Sequence, residues 1–398
     1  MRILHIDETF HPAFGYQCNP LAKFQRMQGH EVIILTVEKK YIYPVYKAFG
    51  ETGEHLEVQD REYQDKTGVK IIRIPAKGYI SNRLNYDTKS LYEAVDKINP
   101  DVILSHCFET LTSMRILFKY RKKYPIVFDS HMLSMASKNK FVKIYEAMFK
   151  KLITPRIVRD HIPVILTQDD DYVNSHLGMP KDLTPFISFG TDTDLFKPSK
   201  NTRKDFIREH NFKEDSFIIV STGKLSSAKG GKLFAEAVAR KFNTERDVVI
   251  VVIANLDGEY EREVKKMLVN SENKVLFYPV QNYMDLPYFY QIADVCVFPR
   301  QCSMSFYDVE ACGVPVISED NNINIERNSH GNGLCFKKGD VGDFRSMIET
   351  IINMQPDDYA NMSMACIRFI KDGYDYTTIA RKYTSILENQ IKVYKNNC

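Results

Sequence analysis

Short apolar, β-branched runs recur along nearly the whole of this chain, each followed by a stretch with helical spacing. They are Arg2–Ile6, Glu31–Val37, Val69–Ile74, Asp101–Ser105, Ile126–Asp129, Val164–Thr167, Phe217–Thr222, Val248–Ile253, Val275–Tyr278, Asp294–Phe298 and Val314–Ile317. Runs of that length with almost no polar interruption suit strands covered on both faces, and the intervening helices do the covering. The alternation predicts an α/β protein with parallel sheets. At 398 residues the chain exceeds one ordinary core, so two domains are expected.

The pattern breaks off near Pro198 and restarts with a helix and the strand Phe217–Thr222, which places the domain boundary near residues 191–200. Residues 44–68 are polar, acidic and weakly periodic, and read as an exposed excursion near an acceptor. Thr377–Tyr394 has a long helical pattern.

The stretch Phe298–Ser318, FPRQCSMSFYDVEACGVPVIS, reads as strand, loop, short helix, a stop at Gly313, and strand. Glu310 stands on that helix, beside the loop leaving a strand's carboxyl end, where ligands of open α/β sheets bind. A solvated helix-start acid is the plain alternative. A second informative stretch is GKLSSAKGGKLFAEAV, residues 223–238: strand, glycine, Lys224, Lys229, and a helix from about Gly230. Its spacing fails the GxxxxGK[ST] phosphate loop, yet two lysines beside a glycine turn suit a diphosphate better than bare solvent. The loop Asp7–Gln17, with Gly15 between the first strand and its helix, suits a phosphate in the same way but is a poor fingerprint alone. His131 follows the strand IVFDS directly, a position open to a structural or a functional reading.

Taken in order, these stretches resemble retaining glycosyltransferases of family 4. That family carries two glutamates with seven residues between them before an Ala-x-Gly-x-Pro-Val tail, here Ala311 to Val316, so Glu310 falls on the second glutamate and Cys302 on the first. FHPAFGY…GHEVIILT looks like the family's opening, with Tyr16 in place of the second glycine and only Gly15 carried over. GKLSSAKG looks like its GRLxxxKG motif, with Lys224 for the arginine, a point charge in place of a bidentate fork. FGTDTDLFKP resembles the segment between the family's domains, and the family uses the region of Tyr278–Val280 against the nucleobase and a histidine at position 131 beside the donor sugar.

The resemblance implies the GT-B architecture, two Rossmann-like domains facing across a cleft. They would be residues 1–195 on the acceptor side and 196–378 on the nucleotide-sugar side, with a C-terminal helix of about 379–398 returning to the first domain. It implies transfer of a sugar, of hexosyltransferase type, from a nucleotide-diphosphate donor to a hydroxyl of a glycan or lipid-linked glycan, with retention, in surface polysaccharide synthesis. Donor contacts would come from Gly15, Lys224, Lys229, Tyr278, Val280, Ser303, Met304, Ser305, Phe306 and Glu310, and the catalytic centre from His131 and Cys302. Lys224, Lys229 and the backbone near Gly15 and Ser305 would neutralise the leaving diphosphate, so neither metal nor cofactor is implied. Cys302 offers a thiol where a carboxylate is expected, which points to an altered donor, deoxy or N-acylated, or to lost activity. A catalytically inactive nucleotide-sugar-binding or partner protein is the rival, and a nucleotide-sugar epimerase a weaker one, since no acid/base carboxylates can be nominated.

Two DxD patterns, Asp169–Asp171 and Asp192–Asp194, are read as a helix start and an interdomain segment rather than metal ligands. The cysteines at 18, 107, 296, 302, 312, 335, 366 and 398 include no CxxC pair and read as free thiols of a reducing compartment. Met1-Arg2 runs straight into a strand, with no signal peptide ahead of it, and the longest apolar run, Val248–Ala254, is too short to span a bilayer. The expected location is cytoplasmic. A net charge of +3 makes no case for nucleic acid. The segment 138–159 differs: apolar Phe141, Ile144, Tyr145, Met148, Phe149 and Leu152 recur at helical spacing among Lys138, Lys140, Lys143, Lys150, Lys151, Arg156 and Arg159. Such a helix either faces the core with solvated lysines or seats peripherally on an anionic membrane at the inner face of the plasma membrane.

Overall fold

A computed structural model describes residues 1–41, 44–47, 51–80, 83–133 and 142–397. Lys138, Lys140, Phe141 and Cys398 lie outside the described residues. The chain divides into two compact units, one made of residues up to Phe189 together with Tyr376 onward, the other of Gly190–Asp375.

In the first unit the strands are β1 (Arg2–Ile6), β2 (Glu31–Val37), β3 (Lys70–Ile74), β4 (Ala76–Ile80), β5 (Arg83–Tyr86), β6 (Val102–Ser105), β7 (Ile126–Ser130) and β8 (Val164–Leu166). Six of them form one parallel sheet in the order β3-β2-β1-β6-β7-β8, while β4 and β5 pair antiparallel apart from it. The alternation of side chains along each strand divides two apolar layers. Leu4 and Ile6 pack on one face with Ile33, Leu35, Ile103 and Phe128; Ile3 packs on the other with Val32, Ile34, Val102 and Val127. That second layer is closed by the helices Cys18–Met27 and Tyr376–Asn397, which bring Leu21, Phe24, Tyr376, Ile379, Tyr383 and Leu387 into it. Two polar contacts set the C-terminal helix in register: Gln17 Nε2 donates to Tyr383 Oη at 2.5 Å, and Thr384 Oγ1 to Gln28 Oε1 at 2.8 Å.

The second unit repeats the plan with β9 (Phe217–Thr222), β10 (Val248–Ile253), β11 (Lys274–Tyr278), β12 (Val295–Phe298), β13 (Val316–Glu319) and β14 (Gly333–Phe336), in the order β11-β10-β9-β12-β13-β14. All neighbours are parallel. Both sheets thus have the doubly wound 3-2-1-4-5-6 order of dinucleotide-binding folds, with the order reversing between β1 and β6 and between β9 and β12.

The reading of 44–68 as an exposed excursion is corrected. Leu56–Thr67 is a helix, ended by Gly68 in the left-handed conformation. Its buried positions are Leu56 and Asp60, and Asp60 is held by a two-pronged contact from Arg73 at 2.6 and 2.7 Å. An ion pair replaces part of the apolar stripe, which is why hydrophobic spacing does not reveal the helix.

The segment after residue 141 is also corrected, because its apolar residues do not share one face. Helix Val142–Met148 runs through a wider turn at Phe149–Ile153 into helix Thr154–Arg159. Phe149, Ile153 and Ile157 are buried, whereas Ile144, Met148 and Leu152 face outward.

Candidate functional site

Because every strand of the second sheet runs the same way, its carboxyl edge collects residues 223–229 after β9, 254–255 after β10, 278–280 after β11, 299–305 after β12 and 319–321 after β13. In the first of these segments the chain turns tightly from Gly223 through Ser227–Lys229 into helix Gly231–Ala237. Gly230 takes φ +78°, and a Cβ on Gly231 would stand 2.0 Å from the Leu225 carbonyl oxygen, so both glycines of KGG are required by the turn.

That turn aims Lys229 at the β12 loop, where its Nζ donates to the Cys302 carbonyl at 3.2 Å. Burial lowers the Lys229 pKa, and the neighbouring Lys224 ammonium lowers it further. Two cations within electrostatic reach at the end of the central strand form a place where an anion relieves their repulsion.

The β12 loop is bent at Gln301, a non-glycine residue with φ +59°. Cys302, Ser303, Met304 and Ser305 are all half-buried at the edge, and helix Ser305–Ala311 follows. Cys302 Sγ faces Asn321 Oδ1 at 3.6 Å. Burial raises the thiol's pKa against the pull of Arg327 and Lys229, so the sulfur is a neutral thiol at pH 7. Arg327 donates to the Ser303 carbonyl at 3.0 Å and lies over the rings of Tyr307 and Phe306 at 4.7 and 5.5 Å. Phe306 itself is turned into the core against Tyr307 and Phe369, so at this position a ligand meets only backbone.

Glu310 stands in the helix's last turn and is fully buried, which removes the reading of a solvated helix-start acid. Both its carboxylate oxygens accept from Asn332 Nδ2 at 2.8 Å, and burial pushes its pKa well up. Asp308, two residues earlier, is also buried, with its pKa raised to about 7 by desolvation. It accepts from Thr191 Oγ1 at 2.7 Å and Tyr283 Oη at 3.3 Å, tying the helix to the start of the unit. In the second DxD pattern Asp192 Oδ1 accepts the Asp194 amide at 3.1 Å, an ordinary turn bond.

Tyr278 and Val280 lie at the end of β11, the outer strand of the sheet. The Tyr278 ring meets Phe289 edge-on at 5.0 Å, and its hydroxyl is 3.2 Å from His210 Nε2. A hollow of about 570 Å³ also exists in this unit, lined by Phe217, Arg246, Asp294 and Tyr359 among others. It opens at the amino ends of β9 and β12, the edge opposite to these motifs, and parallel sheets bind ligands at the carboxyl edge.

Gly15 and His131 belong to the first unit. Gly15 is half-buried in the loop between β1 and its helix. His131 directly follows β7; its Nδ1 is 2.7 Å from Thr167 Oγ1, and that hydroxyl donates to the Ser130 carbonyl at 2.9 Å. The hydroxyl has one hydrogen, so His131 donates from Nδ1. Burial lowers its pKa against the pull of Asp129, whose Oδ1 lies 3.6 Å from Nε2, and so keeps the ring neutral.

Beneath His131 is a buried chain that the sequence reading did not single out. His5 Nε2 is 2.7 Å from Gln25 Oε1, an acceptor, so His5 donates there and accepts at Nδ1. His106 Nε2 lies 3.0 Å from that Nδ1 and must donate to it; its Nδ1 lies 2.6 Å from Asp129 Oδ2. With both nitrogens donating, His106 is an imidazolium paired with the Asp129 carboxylate, whose other oxygen accepts the Cys107 amide at 2.9 Å. The pKa directions agree: His106 is raised well above its usual value, the imidazolium holds Asp129 down to about 2 despite burial, and burial lowers His5 to about 3. His5, Cys18 and His106, and also His106, Asp129 and His131, offer ligand atoms within 4.8 Å of one another, but the nitrogens of His5 and His106 are all engaged in these bonds. The signal lay in a histidine inside the apolar strand RILHI and another at the end of VILSH.

Residues 202–372 match the family model described as glycosyl transferases group 1. A GDP-mannose-dependent monoacylated alpha-(1-6)-phosphatidylinositol monomannoside mannosyltransferase of Corynebacterium glutamicum is 21% identical over 212 residues, 50% of this chain and 55% of that protein. The chain spans about half the length of the curated relatives it matches. Among solved structures, a glycosyltransferase from Rickettsia africae aligns over 98% of both chains with a TM-score of 0.75 and 15% identity. HepE of Anabaena, in complex with UDP and glucose, aligns over 98% of this chain and all of its own with a TM-score of 0.70 and 16% identity. The shared fold is GT-B, with two Rossmann-like domains.

Proposed function

We propose, from the match of residues 202–372 to the family model described as glycosyl transferases group 1, that the chain transfers a sugar from a nucleotide-diphosphate donor to a hydroxyl of a glycan or lipid-linked glycan. The transfer retains the anomeric configuration, is of hexosyltransferase type, and serves surface polysaccharide synthesis. The observation that carries the reading is the pair Lys224 and Lys229 at the carboxyl end of the central strand, with Lys229 half-buried and held against the β12 loop. In this reading the pair takes the diphosphate, and its charge offsets that of the leaving group without a metal ion or cofactor. Ser303, Met304 and Ser305 present the loop to the donor, with the backbone of Phe306 behind them. Tyr278 and Val280 border the base, and Glu310 supports the ribose side through its helix.

His131 holds a sugar hydroxyl at its unprotonated Nε2. HepE of Anabaena, crystallised with UDP and glucose, and the GDP-mannose-dependent relative of Corynebacterium support a nucleotide-sugar donor. The neutral Cys302 thiol favours a donor with less polarity at that point, a deoxy or N-acylated sugar. It also favours the second reading, an inactive binder of nucleotide sugars. A panel of nucleotide sugars in a thermal-shift screen, followed by transfer and donor-hydrolysis assays, separates the two. A specific stabiliser that is also consumed supports transfer; one that is bound and never turned over supports the binder; no stabiliser at all overturns both.

A further inference from the structure

The outward side of the segment Val142–Ile153 is apolar without a covering element among the described residues. Ile144, Met148 and Leu152, four residues apart, are 68%, 39% and 50% exposed, while Phe149 and Ile153 on the other side are buried in the core. The segment therefore needs none of the three outward residues for packing on its own unit. Lys143, Ala147 and Lys151, also exposed, run alongside the stripe one position earlier in each turn.

The stripe continues onto a second helix. Arg156 donates to the Leu152 carbonyl and lies over the Phe118 ring at 5.0 Å, and Phe118, on helix Leu111–Tyr120, is itself 50% exposed. The acids nearby are engaged: Glu146 pairs with His176, and Asp160 with Arg121 and Lys122. Among the described residues no helix is long and apolar enough to cross a membrane.

We infer that Ile144, Met148, Leu152 and Phe118, rimmed by Lys143, Lys151 and Arg156, form a docking surface for an anionic lipid bilayer. Charge complementarity selects this occupant. Isolated apolar side chains on a surface are ordinary, but a stripe of four joined through an arginine and flanked by lysines has the chemistry of the boundary between acyl chains and anionic headgroups. Apolar side chains enter that boundary while the long lysine and arginine stems reach the phosphates. The surface does not rest on the glycosyltransferase reading, and its test uses no donor sugar.

The test is co-sedimentation of the full chain with phosphatidylcholine vesicles and with vesicles that also contain phosphatidylglycerol. Binding to the anionic vesicles is expected to exceed binding to the neutral ones by tenfold or more, and to fall as salt is raised. Ile144→Glu with Leu152→Glu should abolish it, and Lys143→Glu with Lys151→Glu should weaken it at least tenfold, with thermal unfolding unchanged. If the first pair does not fold, Ile144→Ser with Leu152→Ser carries the same expectation. Equal binding to both vesicle types overturns the inference, as does anionic binding that survives the substitutions. A concentration-dependent dimer that the same substitutions dissolve overturns it in favour of contact between copies of the chain.

Discussion

His106 donates its Nδ1 hydrogen to Asp129 Oδ2 at 2.6 Å, and both side chains are buried in the first unit. Its Nε2 donates to His5, so the ring carries two hydrogens and a positive charge in the core. Removing one partner of such a pair leaves an uncompensated charge and costs about 3–5 kcal/mol. His106→Gln should therefore lower the stability of the first unit by that order.

The pH dependence separates the charged pair from ordinary packing. The His106 pKa is raised on folding, so its contribution is complete below the usual histidine value and is lost as pH rises through the raised one. Asp129 is lowered to about 2, so its contribution is complete above the usual carboxylate value and is lost only as pH falls towards about 2. His5, held neutral down to about 3, makes the fold less stable as pH falls below 6.5. Denaturant midpoints of the wild type should decline on both sides of about pH 6.5, and His106→Gln should remove the alkaline decline. A parallel offset between the two profiles at all pH values would show that His106 is not charged.

Lys229 is placed by its turn and by the Cys302 carbonyl, and it shares a small region with Lys224. Lys229→Ala should weaken the binding of nucleoside diphosphates by about 1.5–3 kcal/mol, the range for hydrogen bonds to charged groups. Titration calorimetry with several nucleoside diphosphates checks it. Unchanged affinity for all of them would remove the lysine pair from the donor site.

The C-terminal helix Tyr376–Asn397 completes the first unit's second apolar layer, with Leu387 fully buried against it. Leu387→Ala should cost about 2–5 kcal/mol, as for other buried leucines. The loss should appear in the unfolding transition of the first unit, followed by amide exchange at β1 and β6. A variant as stable as the wild type would mean that the helix is not an integral part of that layer.

The strands were legible because parallel sheets covered on both faces leave runs such as IIVST and VVIVVI, which few other environments produce. Helices whose burial is polar or divided were not. Leu56–Thr67 hides behind the pair Asp60–Arg73, and the stripe from Ile144 to Leu152 belongs to two faces because the wider turn at Phe149–Ile153 shifts the helical phase. The antiparallel pair Ala76–Ile80 and Arg83–Tyr86 lies outside the sheet and has no continuous apolar run to announce it. At the candidate site the motif residues themselves were visible, but their partners were not. Asn332 meets Glu310 from 22 residues away and Asn321 meets Cys302 from 19, distances over which a single sequence carries no pairing signal.

Cys302 gives the sharpest test of what the site accepts. Its thiol is neutral and its sulfur faces Asn321 Oδ1, an oxygen that also caps the helix Asn322–Arg327 by accepting the Asn324 amide at 3.0 Å. Thiols are weak donors and weaker acceptors, so a sugar hydroxyl here lacks the charge-assisted bond that a carboxylate would supply, worth about 1.5–3 kcal/mol. The surroundings nevertheless favour a negative charge, since Lys229 and Arg327 both pull the thiol's pKa down against burial. In Cys302→Glu the new carboxylate should therefore be ionised, turned from the Asn321 oxygen towards those cations. Because Lys229 meets the backbone carbonyl of residue 302, its own bond survives the exchange. The wild type should transfer from a deoxy or N-acylated donor, and Cys302→Glu should shift the preference towards plain hexose donors by about tenfold or more in kcat/KM, the lower end of that bond energy. Measuring kcat/KM for both proteins across a donor panel decides it. A wild type that prefers plain glucose or galactose donors, with no gain from the glutamate, would show that Cys302 does not set the donor.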